Sequence, residues 1–182
     1  MLTATYDSCS NAAADSACVD IVLSKEGHDL VRDGGIEALD TELRGRSCCI
    51  VPSTDFAKQL ARLPSASGQM PRILSGFGGD DRFSLLLEVS SELSWFEGHF
   101  PGQPVLPGII QLHWANVIAT ALFELDGLPH HIKRLKFSNV IVPPRIVELV
   151  LERPAANEVQ FRIHGAGLQN SQGRLVFGAS GS

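Results

Sequence analysis

From Gly108 to Phe123 the chain runs without a single Asp, Glu, Lys or Arg, and this run constrains the fold more than any other feature. Ile109, Ile110, Leu112, Val117, Ile118, Ala121, Leu122 and Leu125 are too many apolar residues for one stripe, so a helix here must be buried on most sides. Pro107 suits the start of such a helix, where a missing N–H costs nothing, and Asp126-Gly127 suits its stop, so the helix is predicted over about 107–126. Gln111, His113, Asn116 and Thr120 interrupt the run. At 1.5 Å per residue it reaches only about 24 Å, short of a hydrocarbon core about 30 Å thick. The helix is therefore expected at the centre of a globular domain, with no membrane partner.

Alternation supplies the material that wraps it. Arg82 to Val89, Ile132 to Phe137, Ile146 to Glu152, Glu158 to His164 and Arg174 to Ala179 read as strands. Val159-Gln-Phe-Arg-Ile163 is apolar on one face and polar on the other, as in an antiparallel sheet with one wet side. One strand before the helix and four after it predict an α+β fold in which a curved antiparallel sheet wraps a central helix.

The 182 residues, 44% hydrophobic and 19% charged, suit one ordinary domain with or without an appendage. A net charge of -5 offers no basic field for phosphates, which sets nucleic acid aside. The first twenty residues carry Asp7, Asp15 and Asp20 and no Lys or Arg, so no secretory signal is expected and the cytoplasm is the expected location. Cys9, Cys18, Cys48 and Cys49 lack the paired spacing that suits zinc. They are read as reduced thiols outside the structured part, and no metal site is expected.

Leu63-Pro-Ser-Ala-Ser-Gly-Gln-Met-Pro71 is the densest cluster of turn formers, and the acidic excess lies mainly before it. The expected division is a poorly defined arm over 1–70 and a folded domain over 71–182. Within the arm, Leu30, Val31, Ile36, Leu39 and Leu43 suggest a short helix between Asp29 and Leu43, weakened by Gly34-Gly35.

The chemistry lies just before the apolar run, in Trp95-Phe-Glu-Gly-His-Phe-Pro-Gly-Gln-Pro-Val-Leu-Pro-Gly108. Pro101, Pro104 and Pro107 recur at every third residue and stiffen the loop before any ligand arrives. His99 opens it as a candidate base. The first helical N–H groups have no intrahelical acceptors and carry partial positive charge, and Gly108 lets a carbonyl approach them closely. His113, one turn further on, is equally readable as a second proton carrier or as a satisfied core histidine. Trp95, Phe96 and Trp114 either line an acyl channel or pack. Lys133, Arg134 and Lys136, beside His130-His131, form the cationic cluster, which serves either to attract an acidic partner or to protect a strand edge.

Gly98-His-Phe-Pro-Gly-Gln-Pro-Val-Leu-Pro-Gly108 followed by a buried helix resembles the FabA/FabZ-type 3-hydroxyacyl-[acyl-carrier-protein] dehydratases, which have the hot-dog fold. Ile132-Lys-Arg-Leu-Lys-Phe137 and Val142-Pro-Pro extend the resemblance over roughly residues 71–180. Leu106-Pro-Gly-Ile-Ile-Gln-Leu-His-Trp-Ala115 is most similar to the ApeI-like branch associated with aryl polyene pathways.

The resemblance implies dehydration of 3-hydroxyacyl thioesters to trans-2-enoyl thioesters, in fatty acid or aryl polyene-type biosynthesis. His99 falls on the family's catalytic histidine and Gly108 on the glycine whose amide binds the thioester carbonyl. His113 stands where FabA-type enzymes have Asp and FabZ-type enzymes have Glu. No cofactor is implied beyond the 4'-phosphopantetheine that brings the substrate on acyl carrier protein, the expected partner of Lys133, Arg134 and Lys136. A homodimer, or a higher oligomer of dimers, is implied, with His99 of one chain facing His113 of the other. The rivals are an acyl thioesterase on the same fold and a catalytically silent subunit of a heterodimeric dehydratase. Val22 to Gly27, Gly35 to Leu39 and Leu43-Arg44 are weakly similar to the carboxy-terminal region of adenylate-forming acyl ligases, a resemblance that implies either a remnant of such a fusion or a misplaced start.

Overall fold

The computed structural model describes residues 3–4, 19–23, 25–34, 48–51, 53–63, 68–98 and 102–178. Its centre is a six-stranded antiparallel sheet of β4 (Arg72–Gly79), β5 (Arg82–Val89), β6 (His131–Phe137), β7 (Arg145–Ala155), β8 (Glu158–Gly165) and β9 (Leu168–Val176). The strands lie in the order β4-β5-β7-β8-β9-β6, which leaves β6 at one edge. Short turns join β7, β8 and β9 as a meander, and the register sets Leu149 opposite Ile163 and Val159 opposite Leu175.

One face of this sheet carries Phe83, Leu85, Leu87, Val147, Leu149, Leu151, Phe161, Ile163 and Leu175 into a single core, and the apolar helix lies on it. In chain order the helices are α1 (Lys25–Gly34), α2 (Thr54–Leu60) and α3 (Gly108–Phe123). On α3, Ile110, Gln111, Leu112, Trp114, Ala115, Ile118, Ala119 and Phe123 are buried, and only Ile109 and His113 are exposed. The helix stops three residues before the predicted 126, because Glu124 takes a left-handed conformation and its N–H returns to Thr120.

Two expectations need correction. A second strand, β4, precedes the helix, hidden from alternation by Gly76, Gly78 and Gly79. Gly76 is required there, since a Cβ would lie 2.0 Å from the Phe56 ring. Phe56, on α2, is buried and stacks obliquely on Phe83, which meets Phe123 edge-on. Cys48 and Cys49, expected outside structured parts, lie in β3 (Cys48–Val51), which pairs in parallel with β2 (Val19–Val22), itself paired with β1 (Thr3–Ala4). Cys9 and Cys18 fall outside the described residues.

Two described helices before residue 71, α1 and α2, also pack on the sheet. The helix α1 begins four residues before the expected Asp29, and residues 35–43 of that expected helix lie outside the described residues. It covers the face away from α3, where Val31 is buried and His28 is only 2% exposed. The Ser84 hydroxyl donates to the Glu148 carboxylate at 2.6 Å, so it must accept from Nε2–H of His28 at 3.1 Å. Nδ1 then accepts from Ser75, also at 3.1 Å.

Candidate active site

The loop after β5 begins in a 3-10 turn, Ser94–Phe96, and reaches Gly98 at φ +80°. His99, Phe100 and Pro101 lie outside the described residues, so nothing is placed for the candidate base itself. The loop resumes at Gly102, and the Leu106 N–H donates to the Ile141 carbonyl at 2.9 Å, fixing the approach to α3. Phe96 lines a cleft of about 500 Å³ together with Leu93, Glu97, Gly98, Gly102 and Pro104. This cleft flanks the segment that contains His99 in the sequence.

Pro107 caps α3 in an extended conformation and Gly108 is its first residue. Helix geometry leaves the Gly108 and Ile109 amides without intrahelical acceptors, which is what an oxyanion site needs. A Cβ on Gly108 would sit 2.9 Å from the Phe137 ring, so only glycine admits that ring so near the helix start. Phe137, 46% exposed at the end of β6, is a residue the sequence reading did not single out. Its signal was faint: the strand after the helix simply ends in an aromatic residue.

His113 lies on the open side of α3, one turn beyond Ile109, and is not a core residue. Its ring meets Trp95 edge-on, centroids 6.4 Å apart. The Trp95 Nε1–H donates to the Gln69 carbonyl at 2.6 Å, and the Trp114 Nε1–H donates to the same oxygen at 2.9 Å. Trp114 is wholly buried in the core, a packing position, whereas Trp95 and Phe96 are half-buried. A groove of about 580 Å³ continues along the open side of α3 past Asn116, Val117, Thr120 and Ala121, to the ion pair of Arg62 with Glu124. That pairing holds the fully exposed Glu124 carboxyl below its ordinary range.

Lys133, Arg134 and Lys136 are all exposed on β6. Lys133 lies 3.7 Å from Glu158, and Arg134, at φ +53°, marks an irregularity where the pairing with β9 shifts between Lys133 and Lys136. Since Phe137 ends the same strand, the cationic cluster leads toward the start of α3. Among the described residues no three His, Cys, Asp or Glu side chains come together in a way that could hold a metal ion.

The wrapped-helix sheet has counterparts among solved structures. The dehydratase heterocomplex ApeI:P from Xenorhabdus doucetiae superposes with a TM-score of 0.54 at 26% identity, over 58% of this chain and 96% of that one. A sigma28-regulated virulence protein from Campylobacter jejuni gives 0.53 at 14% identity over 71% and 93%, a likeness of fold alone. Among curated relatives, the 3-hydroxyacyl-[acyl-carrier-protein] dehydratase FabZ of Novosphingobium aromaticivorans is 28% identical over 116 residues, 57% of this chain and 72% of its own length. The FabZ of Moorella thermoacetica is 35% identical over 71 residues, and the match spans half of that relative. The model of the ApeI-like family, described as ApeI dehydratase, matches residues 78–174, the stretch from the end of β4 through α3 into β9. With more than half of its length inside that match and a hot-dog sheet around its apolar helix, the chain belongs to the ApeI-like dehydratase family.

Proposed function

We propose that the protein is a hydro-lyase that removes water from a 3-hydroxyacyl thioester on an acyl carrier protein, leaving the trans-2-enoyl thioester. The observation that carries this reading is the start of α3: Gly108 opens the helix with its amide facing outward, directly after the histidine-bearing loop of an ApeI-like dehydratase sequence. On this reading the thioester carbonyl sits on the Gly108 N–H, which stabilises enolate-like charge by several kcal/mol in comparable sites. His99 takes the proton from C2, the electron pair moves to form the C2–C3 double bond, and the C3–O bond breaks. His113 gives its proton to the departing hydroxyl, which leaves as water. The proton taken up by His99 then returns to His113 before the next turnover, which leaves both rings as they began.

The surroundings support this division of work. His113 is exposed in a single chain, as a group must be if it completes a site with a second subunit. The edge strand β6 offers that subunit a place: Ile132 lies opposite the core residue Leu175, while Leu135 and Phe137 meet Gly173 and Gly108, so all three face the helix side. All three are nevertheless exposed. A homodimer is the assembly we favour, with Lys133, Arg134 and Lys136 near its cleft as the docking rim for an acidic carrier. The 4'-phosphopantetheine arm enters with the substrate, and no other cofactor takes part in the steps above. The relative ApeI:P is itself a heterocomplex, which favours one alternative, a pair formed with a different dehydratase subunit. The setting is the cytoplasm, where carrier-bound chains are built; no described helix is long and apolar enough to cross a membrane.

The test is the purified protein with a panel of 3-hydroxyacyl carrier-protein thioesters. The expected product absorbs as a conjugated enoyl thioester, and His99→Ala lowers kcat by at least about 100-fold. Free thiol without enoyl product would replace this reading with a thioesterase. Turnover only after a second subunit is added would replace the homodimer.

A further inference from the structure

We propose that Trp95 is a positioning residue for His113, its indole pinned through a single backbone carbonyl, that of Gln69, which also holds Trp114. Three elements meet at this point. The loop root is anchored first: the Ser94 N–H and hydroxyl both donate to the Gly68 carbonyl, at 2.9 and 3.0 Å. One residue on, the Trp95 indole Nε1–H donates to the Gln69 carbonyl at 2.6 Å, and the indole Nε1–H of the helix residue Trp114 donates to the same oxygen at 2.9 Å. A carbonyl oxygen has two lone pairs and can satisfy both donors at once.

The consequence is geometric. Trp114 is wholly enclosed in the core, so the oxygen it binds is held in place relative to α3. Trp95, bound to that oxygen, is fixed relative to α3 as well, and its ring edge defines one wall for the exposed imidazole of His113. An exposed histidine on a helix otherwise samples several rotamers, and each leaves the ring in a different place. A neighbour that narrows this set raises the fraction of molecules ready to react, which acts on kcat rather than on substrate binding. The same anchor roots the chain four residues before His99, so residues 68–69 tie the loop that leads to one histidine to the helix that carries the other. No residue type in the loop announces this, because the acceptor is main chain.

The kinetic arm of the test rests on the dehydratase reading, and the spectroscopic arm does not. In Trp95→Leu, which removes both ring and tether, kcat is expected to fall about tenfold with KM within about twofold. Trp95→Phe, which keeps a ring but loses the N–H, should fall between this variant and the parent. In parallel, the His113 ring-proton resonances, assigned by their loss in His113→Gln, should move in Trp95→Leu and stay nearer the parent position in Trp95→Phe. A raised KM with unchanged kcat in Trp95→Leu would make Trp95 a channel wall and overturn the proposal, as would His113 resonances indifferent to both substitutions. If the parent protein dehydrates nothing, the proposed reaction fails while the resonances still decide the positioning. If Trp95→Leu does not fold, a nuclear Overhauser contact between the two rings in the parent protein decides instead, and its absence overturns the inference.

Discussion

At the scale of single residues, the start of α3 and the floor of β4 are the places where one added methyl group has consequences. Gly108→Ala would press its Cβ against Phe137 at 2.9 Å, beside the amide proposed to hold the thioester oxygen. Activity should drop about tenfold in Gly108→Ala and recover in part when Phe137→Ala is added, because the exposed ring can then no longer crowd the site. A full double-mutant cycle in kcat/KM measures that coupling, and additive losses would refute it. Gly76→Ala has no such relief, since the Phe56 ring it meets is buried. A loss of about 1–3 kcal/mol in denaturant midpoint stability is expected there. The placement of Gly108 at the start of α3 and of His113 within it was legible in the sequence, because the Gly-Pro pattern and the apolar run locate the helix. Phe137 and the Gln69 carbonyl were not, the first because its contact spans 29 residues of chain, the second because a main-chain oxygen has no residue-type signature.

At the scale of elements, α1 is held to the outer face of the sheet by a buried histidine. Burial holds the His28 imidazole below the ordinary histidine range, against the attraction of Glu148 on β7 and Asp29 on its own helix and with the opposition of Arg32 and Lys25. Arg82 on β5 lines the same cleft, and His164 on β8, opposite Glu148 in register, is likewise lowered by burial. A depressed histidine is neutral when docked and protonates more readily when released. Docking is therefore at full strength above about pH 6.5 and weakens as the pH falls through that value toward the depressed one, by at most about tenfold at pH 5.5. Hydrogen exchange of the α1 amides, corrected for intrinsic pH dependence, should show this loss, and His28→Gln should abolish its pH dependence. Loss of protection to the same extent in both proteins would contradict it. The polar first turn of α1 explains why the sequence placed this helix four residues late, whereas β5, β7 and β8 announced themselves by alternation. The strand β4 did not, because Gly76, which makes room for Phe56, and Gly78 and Gly79 after it erase the pattern.

At the scale of the whole molecule, the sheet is finished on one side only. The seven residues of β6 are all exposed, and the apolar members Ile132, Leu135 and Phe137 leave part of the helix-facing surface uncovered. On the homodimer proposed above, Leu135→Arg should convert a two-chain particle into single chains by sedimentation, with loss of the proposed activity, because the open side of α3 would then lose its facing subunit. A particle mass unchanged by this substitution would count against pairing along β6.

The strand order carries one more implication, for how the chain is made. β6 leaves the ribosome before β7, β8 and β9, yet its neighbour in the sheet is β9, the latest of the described strands. Until β9 is synthesised, the nascent chain must hold out an unpaired basic ribbon and an oily rod with part of its cladding missing. Premature termination anywhere before residue 168 would thus strand both, yielding a sticky intermediate rather than a smaller working version of the protein.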